Sequence, residues 1–292
     1  MKRIFPQKLA PRFWQLLLLA GLFASVSATF AQPATRTQRS PAPTAPADVH
    51  ARVSETPVDA TVADDPAVDK MLAVYSPKVR ELDAVIGKLK GELRKGGTGA
   101  GSLGNFVTDG MRSQAKLKAS KPIAVAVMNG GGLRRSTIGE GELRARDIFE
   151  LLPFENALIT VDLTGEQLKK LLETVLTSNE AQSGARIVYK PNADKKNEAQ
   201  SIKLRESGGE QEIDPNRTYT IVTIDYLYNV GGARYGILKE GKNMAALGIT
   251  LRDAIMNYVK SETAAGRDIK PNLDGRFSFD RTNATTQEAR PQ

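Results

Sequence analysis

Ile123-Ala-Val-Ala-Val-Met128 is an apolar run that leads into Asn129, the three glycines 130–132 and, after one leucine, Arg134 and Arg135. An apolar run this short, bounded by glycine, predicts a buried strand. Glycine can adopt positive φ and leave backbone N–H groups open to a ligand, and the guanidinium fork matches phosphate or carboxylate oxygens. The stretch therefore predicts a strand ending in a binding turn, although a tight turn with two solvated arginines fits it equally well.

The flanking sequence alternates between helical and strand patterns. Apolar residues at helical or alternating spacing predict helices over 67–82, from 102 to 111, over 145–152 and 164–176, and from 250, and strands over 85–93, 157–163, 186–190, 201–205, 218–224 and 277–279. Strands and helices interleave early and strands cluster later. This order predicts a mixed α/β (α+β) single domain with helices packed outside mixed β-sheets.

Several residues mark where these helices begin and end. Ser102 is a candidate N-cap, and Thr164 with Gln167 forms a capping box. Thr250 is expected to cap the last helix, and Pro153 is expected to stop the helix over 145–152. Pro77 predicts a kink or break within 67–82.

The first 31 residues follow the three-part pattern of a secretory signal peptide. Four basic residues precede the apolar run 14–24, and small residues follow up to Ala31. We therefore expect an exported protein, periplasmic or extracellular. The run is too short for a stable membrane anchor, and no later run approaches about 20 apolar residues.

The remaining chain divides into a linker, a domain and a tail. Residues 32–66 are rich in Pro, Ala, Thr and Ser and predict a flexible linker. Residues 67–280 form the predicted domain, and 281–292 a polar disordered tail.

Composition excludes several classes of partner and of catalytic site. The formal net charge of +8 includes four basic residues of the signal peptide, so the mature chain carries 8 − 4 = +4, and no basic run suggests a nucleic acid polymer as partner. His50 in the linker is the only histidine, and cysteine is absent. A dimetal site with nitrogen or sulfur ligands and a Ser-His-Asp triad both fail for that reason. Glu140 and Glu142 fit a solvated turn more simply than an acid/base pair.

Two further segments carry residues suited to binding. Phe154 and Asn156 follow Pro153, and Tyr226 follows a predicted strand. Aromatic rings can stack on a flat base. Each aromatic taken alone fits an ordinary core or rim position as well.

Five motifs in order resemble the C-terminal domain of the 5′-nucleotidase / UDP-sugar hydrolase family, over about residues 66–280. They are Leu103-Gly-Asn-Phe-Val-Thr-Asp-Gly-Met111, Met128-Asn-Gly-Gly-Gly-Leu-Arg134, Asp147-Ile-Phe-Glu-Leu-Leu-Pro-Phe-Glu-Asn156, Val161-Asp-Leu-Thr-Gly-Glu-Gln-Leu168 and Ile224-Asp-Tyr-Leu-Tyr-Asn-Val-Gly-Gly232.

The resemblance implies a nucleotide-binding domain that works beside a separate metallophosphoesterase domain with two divalent metals. It implies that Phe154 forms one side of a base sandwich and that Asn156 lies near the base edge. Tyr226 would form the second side if one residue is inserted before Gly231, and Leu227 without that shift. The other implied substrate-binding residues belong to the glycine turn: Asn129, Gly131, Gly132 and Arg134.

The sequence departs from the family pattern at three places. Ala233 stands where the pattern has an aspartate for the ribose hydroxyls, and Glu155 stands where it has glycine. The arginine expected before Leu103 is missing, and Arg94 and Lys95 are the nearest substitutes.

Three functions remain open at this point. The first is an exported nucleotide-recognition domain, without catalytic residues, metal or cofactor of its own, that serves a separately encoded metallophosphoesterase. The second is a ligand-free structural or protein-interaction module derived from that domain. The third is an independent hydrolase with carboxylate-only metal ligands.

Overall fold

The structure is a computed structural model that describes residues 52–206 and 208–281. It divides into two units, Met1–Val62 and Ala63–Gln292. In the first unit the described residues, 52–62, are exposed and form no helix or strand. The predicted signal peptide, the linker up to residue 51 and the tail from residue 282 lie outside the described residues.

The second unit contains the following helices and strands. The helices are α1 (Pro66–Ala73), α2 (Ser76–Glu81), α3 (Gly101–Lys118), α4 (Ala145–Leu151), α5 (Gly165–Thr177), α6 (Asp225–Val230), α7 (Ile237–Glu240) and α8 (Leu251–Ala264). The strands are β1 (Val85–Leu89), β2 (Leu93–Arg94), β3 (Ile123–Met128), β4 (Thr137–Ile138), β5 (Gly141–Arg144), β6 (Ala157–Thr164), β7 (Ala181–Ser183), β8 (Ala185–Pro191), β9 (Asn197–Glu206), β10 (Gly209–Glu212), β11 (Thr218–Ile224), β12 (Lys242–Thr250) and β13 (Phe277–Phe279).

A five-stranded mixed sheet in the order β12-β6-β11-β3-β7 forms the centre of the domain. Strand β3 runs parallel to β11, whereas β6 runs antiparallel to both β11 and β12. The apolar run in β3 is covered on both faces, since neighbouring Ala126 and Val127 are both fully buried. A strand buried on both faces reads as a continuous apolar run, which is how this segment was predicted.

A second sheet, β10-β9-β8-β13, and the ribbons β1–β5 and β2–β4 complete the β structure. Helices α3 and α8 pack on each other, and α3 also contacts β3 and β7. Helix α5 buries the face predicted from its spacing, including Leu168, Leu172 and Leu176. The fold is therefore the predicted mixed α/β arrangement with helices outside mixed sheets.

Several predicted helix boundaries are confirmed. Thr164 and Gln167 form the capping box at the start of α5, and the Thr250 side chain accepts from the Asp253 amide at the start of α8. Helix α4 ends two residues before Pro153.

The predicted N-cap at Ser102 is wrong. The N-cap of α3 lies two residues earlier, at Ala100, which is in the left-handed region with φ 58°. The Ser102 hydroxyl instead accepts from the Arg94 amide at 2.9 Å, which ties the helix to β2. Serine is a favoured N-cap residue type, but here its hydroxyl is hydrogen-bonded to β2 instead of to the first turn of the helix.

The predicted helix over 67–82 is two helices, and the predicted strand over 85–93 is interrupted after Leu89. Pro77 lies in the first turn of α2 and not at the break between the two helices. In a first turn the missing amide hydrogen of proline costs nothing, because that amide would have no partner within the helix. Neither α1 nor α2 buries a residue, and Met71, Tyr75 and other apolar side chains on them are exposed.

One buried carboxylate lies in β6. Asp162 is 5% exposed and accepts hydrogen bonds from Lys121 at 2.5 Å, Thr220 at 2.6 Å and Asn243 at 2.8 Å. Burial opposes its ionisation, but these donors outweigh burial and lower the pKa of Asp162 below its ordinary value.

Candidate functional site

A cavity of about 370 Å³ lies at one edge of the five-stranded sheet. All seven residues predicted to bind a substrate line it: Asn129, Gly131, Gly132, Arg134, Phe154, Asn156 and Tyr226. The volume falls within the range of roughly 300–1,000 Å³ that is usual for ligand pockets. The structure thus brings the predicted residues together, while their role in binding stays a prediction.

The sheet topology explains why three distant segments meet there. Strands β3 and β11 are parallel neighbours, so Asn129 after β3 and Tyr226 after β11 lie at the same edge. Strand β6 is antiparallel to β11, so the loop before it, with Phe154 and Asn156, starts from this edge as well. Ligands of open α/β sheets bind in the crevice outside the carboxyl ends of such strands.

The glycine turn differs from its prediction in its backbone geometry. Residues Gly130–Gly132 form one turn of 3-10 helix, and none of the three has positive φ. Two amide groups of the turn are already used, because the Gly130 amide donates to the buried carboxylate of Glu180 and the Gly132 amide to the Asn129 carbonyl. A Cβ at Gly132 would lie 2.8 Å from Cε at the flexible end of Met128 and 3.4 Å from Asn129 Oδ1.

Asn129 lines the cavity and carries an unsatisfied polar atom. Its Oδ1 is buried and has no hydrogen-bond partner, while its side chain lies against Gly131 and Gly132. A buried acceptor without a partner costs free energy that a ligand donor would recover.

The two arginines after the turn have different surroundings. Arg135 pairs with Asp147 at 2.8 Å and Glu150 at 3.1 Å and so fastens the turn to α4. Arg134 is exposed, lies 5.9 Å above the Phe154 ring and, within 52–206 and 208–281, has no carboxylate partner. Arg134 is therefore the free cation of this pair.

Phe154 and Tyr226 form the aromatic part of the wall. They are 48% and 46% exposed, whereas Leu227 is 1% exposed and belongs to the core. Of the two alternatives for the second aromatic position, the structure brings Tyr226 to the cavity. The amide of Ala157 donates to Asp225 Oδ1 at 3.1 Å and joins the Phe154 loop to α6.

Two charged residues, one against the glycine turn and one against the loop that carries Phe154, were not predicted. Glu180 accepts a hydrogen bond from the Gly130 amide and lies 3.7 Å from Arg234. Burial first, and then the negative charge of Glu180, raise the pKa of Tyr235 above its ordinary value. Arg252 at the start of α8 pairs with Glu155. Their positions in the sequence carry no recognisable motif, so only the fold reveals them.

The places where the sequence departs from the family pattern also have definite positions. Ala233 is exposed and is not part of the cavity wall. Arg94 pairs with Glu92, Lys95 Nζ donates to the Leu133 carbonyl at 3.0 Å, and neither residue lines the cavity.

The carboxylates considered for catalysis lie elsewhere. Glu140 and Glu142 are exposed, and Glu142 pairs with Arg144. Within the described ranges, no three His, Cys, Asp or Glu side chains are grouped as metal ligands would be. In the same part of the chain, no helix combines the length and apolarity needed to span a membrane.

Comparison with known proteins points to one family. The family model described as the 5′-nucleotidase C-terminal domain matches residues 85–240, more than half of the chain. The trifunctional nucleotide phosphoesterase protein YfkN of Bacillus subtilis is 29% identical over 184 residues, 60% of this chain and 12% of that protein. Cell wall protein Lmo0130 of Listeria monocytogenes is 26% identical over 60% of this chain and 23% of its own length.

A solved structure shows the same fold. The 5′-nucleotidase precursor from Thermus thermophilus superposes with a TM-score of 0.62 at 25% identity, covering 73% of this chain and 43% of that one. The chain spans less than half the length of each of these three proteins.

Proposed function

The chain belongs to the family of 5′-nucleotidase C-terminal domains, and on this premise we propose that its cavity binds a nucleotide or nucleoside. The observation that carries the proposal is the meeting of three sequence segments around one cavity, with two half-exposed aromatic rings and one unpaired arginine in its wall. Flat apolar surfaces and a free guanidinium suit a ligand that has a base at one end and a phosphate at the other.

Each wall residue has a role in this proposal. Phe154 and Tyr226 stack on the base, worth roughly 1–3 kcal/mol for each stacked base. Asn156 contacts the base edge, and Asn129 offers its unpartnered Oδ1 to a donor of the ligand. Arg134 meets the phosphate, and Gly131 and Gly132 let the ligand approach the backbone.

We further propose that hydrolysis takes place on a metallophosphoesterase domain outside this chain. This sequence has one histidine and no cysteine, too few nitrogen and sulfur ligands for a dimetal site of that kind. The divalent metals would belong to that partner, and this chain would supply substrate recognition. The signal-peptide pattern, and a relative whose name places it in the cell wall, support work outside the cytoplasm.

A second candidate is a ligand-free structural or protein-interaction module. Ala233 lies outside the cavity and carries no carboxylate, and neither Arg94 nor Lys95 reaches the cavity wall. These positions favour this alternative because they remove polar contacts that a ribose and a phosphate would use.

Calorimetric titration with AMP, adenosine and UDP-glucose tests the proposal. Phe154→Ala should weaken binding roughly 5- to 150-fold, as expected from the stacking energy. The control is Phe279→Ala, because that ring is also 48% exposed but lies on β13 outside the cavity wall. Absence of binding at millimolar ligand would favour the second candidate.

Mixing the protein with a metallophosphoesterase tests the partner separately. Nucleotide hydrolysis should rise when the two are combined and should return to the level of the phosphoesterase alone with Phe154→Ala. No complex and no change in rate would refute the split arrangement.

A further inference from the structure

The Phe154 loop, residues 152–156, connects α4 to β6 without regular secondary structure. It carries a phenyl ring that is nearly half exposed into the cavity wall. Such a loop has no ladder of backbone hydrogen bonds to fix it. The contacts of the residues beside Phe154 therefore decide where the ring stands.

Arg252 holds this loop on both sides of Phe154. Its Nη1 makes long hydrogen bonds to the carbonyl oxygens of Leu152, at 3.5 Å, and Pro153, at 3.4 Å. Its Nη2 pairs with the Glu155 carboxylate. The planar guanidinium can serve these acceptors at once, which a lysine ammonium on a flexible stem does poorly.

The position of Arg252 is not explained by the helix that carries it. It is the second residue of α8, where a positive charge opposes the positive end of the helix dipole. It is also 8% exposed and stacked with its Cζ 4.2 Å from the Phe149 ring centroid. A buried cation is retained when partners compensate it, and the hydrogen-bond and ion-pair partners of Arg252 are in the Phe154 loop.

The same loop is tied at its other end. The Leu251 amide donates to the Asn156 carbonyl at 2.8 Å, and Ala157 donates to Asp225 beside Tyr226. The loop is thus fixed to both α8 and α6.

From these contacts we infer that Arg252 is a positioning residue that sets the Phe154 ring in the cavity wall before a ligand arrives. Glu155, which stands where the resembling family has glycine, supplies the carboxylate of this clamp. The inference rests on the proposed function, because the ring matters only if the cavity binds a base. Ordering one side chain in advance removes a cost equivalent to roughly a 2- to 12-fold change in affinity.

The test is a double-mutant cycle on AMP affinity with Arg252→Met and Phe154→Ala. Arg252→Met alone should weaken binding about 3- to 10-fold, within the range for one ordered side chain. In the Phe154→Ala background it should have no further effect, because the clamp acts only through the ring. Glu155→Gln should weaken binding in the same direction by a smaller factor, and with a 73% exposed side chain it leaves the core untouched.

Arg276→Met is the matched control. Arg276 is another buried arginine, 6% exposed, paired with Asp109 and Asp274 away from the cavity wall. Its loss should lower the Tm and leave the AMP affinity unchanged. Equal effects of Arg252→Met with and without Phe154, or wild-type affinity in both Arg252→Met and Glu155→Gln, would overturn the inference.

A ligand-free readout separates failure of the clamp from failure of the proposed function. The chain has a single tryptophan, Trp14, so a Trp14→Phe, Phe154→Trp variant carries one indole, in the loop. Adding Arg252→Met should lower the fluorescence anisotropy of that indole and increase its quenching by acrylamide. If the wild-type protein binds no ligand, the proposed function fails, and unchanged anisotropy and quenching would then refute the clamp independently.

Discussion

Replacing Arg134 should change the affinity for a phosphate and leave the affinity for a nucleoside nearly unchanged. The guanidinium is exposed at the cavity and, among the described residues, has no carboxylate to neutralise it. Arg134→Ala should therefore remove one charge interaction with AMP that adenosine never makes.

The magnitude follows from exposure. Two unit charges about 4 Å apart interact by about 1 kcal/mol in bulk water and about 4 kcal/mol near a protein surface. Because Arg134 is open to solvent, we expect the lower part of this range, roughly 1–2 kcal/mol, or a 5- to 30-fold weaker affinity for AMP. The lost contact with the Phe154 ring at 5.9 Å affects both ligands alike and cancels in the ratio of their affinities.

The assay is calorimetric titration of both ligands at two salt concentrations. Raising the ionic strength from about 0.1 M to about 1 M shortens the screening length from about 10 Å to about 3 Å and should erase most of the AMP preference of the wild type. Arg217→Ala is the control, since Arg217 is also exposed and lies 5.1 Å above a ring, that of Tyr219.

Either of two results would refute this reasoning. If Arg134→Ala weakened AMP and adenosine equally, the side chain would be acting on the base wall and not on a phosphate. A wild-type preference for AMP that persisted unchanged in high salt would contradict the exposed-charge explanation in the same way.

Three further predictions concern stability. Asp162 has a lowered pKa in the folded state, so its contribution to folding stability is present above the unfolded pKa of about 3.9 and is lost as pH falls through the folded pKa. Asp162→Asn should therefore flatten the acid side of a plot of Tm against pH. An unchanged plot would contradict this. Gly165→Ala would place a Cβ 1.9 Å from the Asp214 carbonyl oxygen, so urea unfolding should show a loss of roughly 1–3 kcal/mol; Gly139→Ala, with open space around it, is the control. Thr164→Ala removes an N-cap and should cost about 1 kcal/mol, whereas a Thr164→Ser variant that lost as much would argue against capping.

The elements that sequence could predict are those whose cause is local. The β3 run, the Thr164 cap and the stop before Pro153 depend on neighbours within a few residues, and the structure has them. The wall residues were named from motif resemblance, which carries information about a fold that spacing alone lacks. That resemblance also left Tyr226 and Leu227 as alternatives for the second side of the base sandwich. In the structure Leu227 is buried in the core, whereas Tyr226 is 46% exposed.

What sequence could not predict depends on contacts between distant segments. Arg252 and Glu155 are separated by 97 positions, and Gly130 and Glu180 by 50. The Ser102 error has the same origin, because β2 uses the hydroxyl that would have capped the helix. No local pattern distinguishes such a serine, glutamate or arginine from an ordinary surface residue.

The parallel pairing of β3 with β11 has a consequence for how the cavity comes into being. The Thr223 hydroxyl bonds the Val127 carbonyl across 96 positions of chain, and Asn129 and Tyr226 follow these two strands. Closing so long a loop is slow, because the chain loses conformational entropy before the contacts between the two strands can stabilise it. The residues of the cavity that follow β3 and β11 therefore come together only in a chain that has completed this long-range pairing, and the number of binding sites per molecule in a titration would report the fraction of molecules that have completed it.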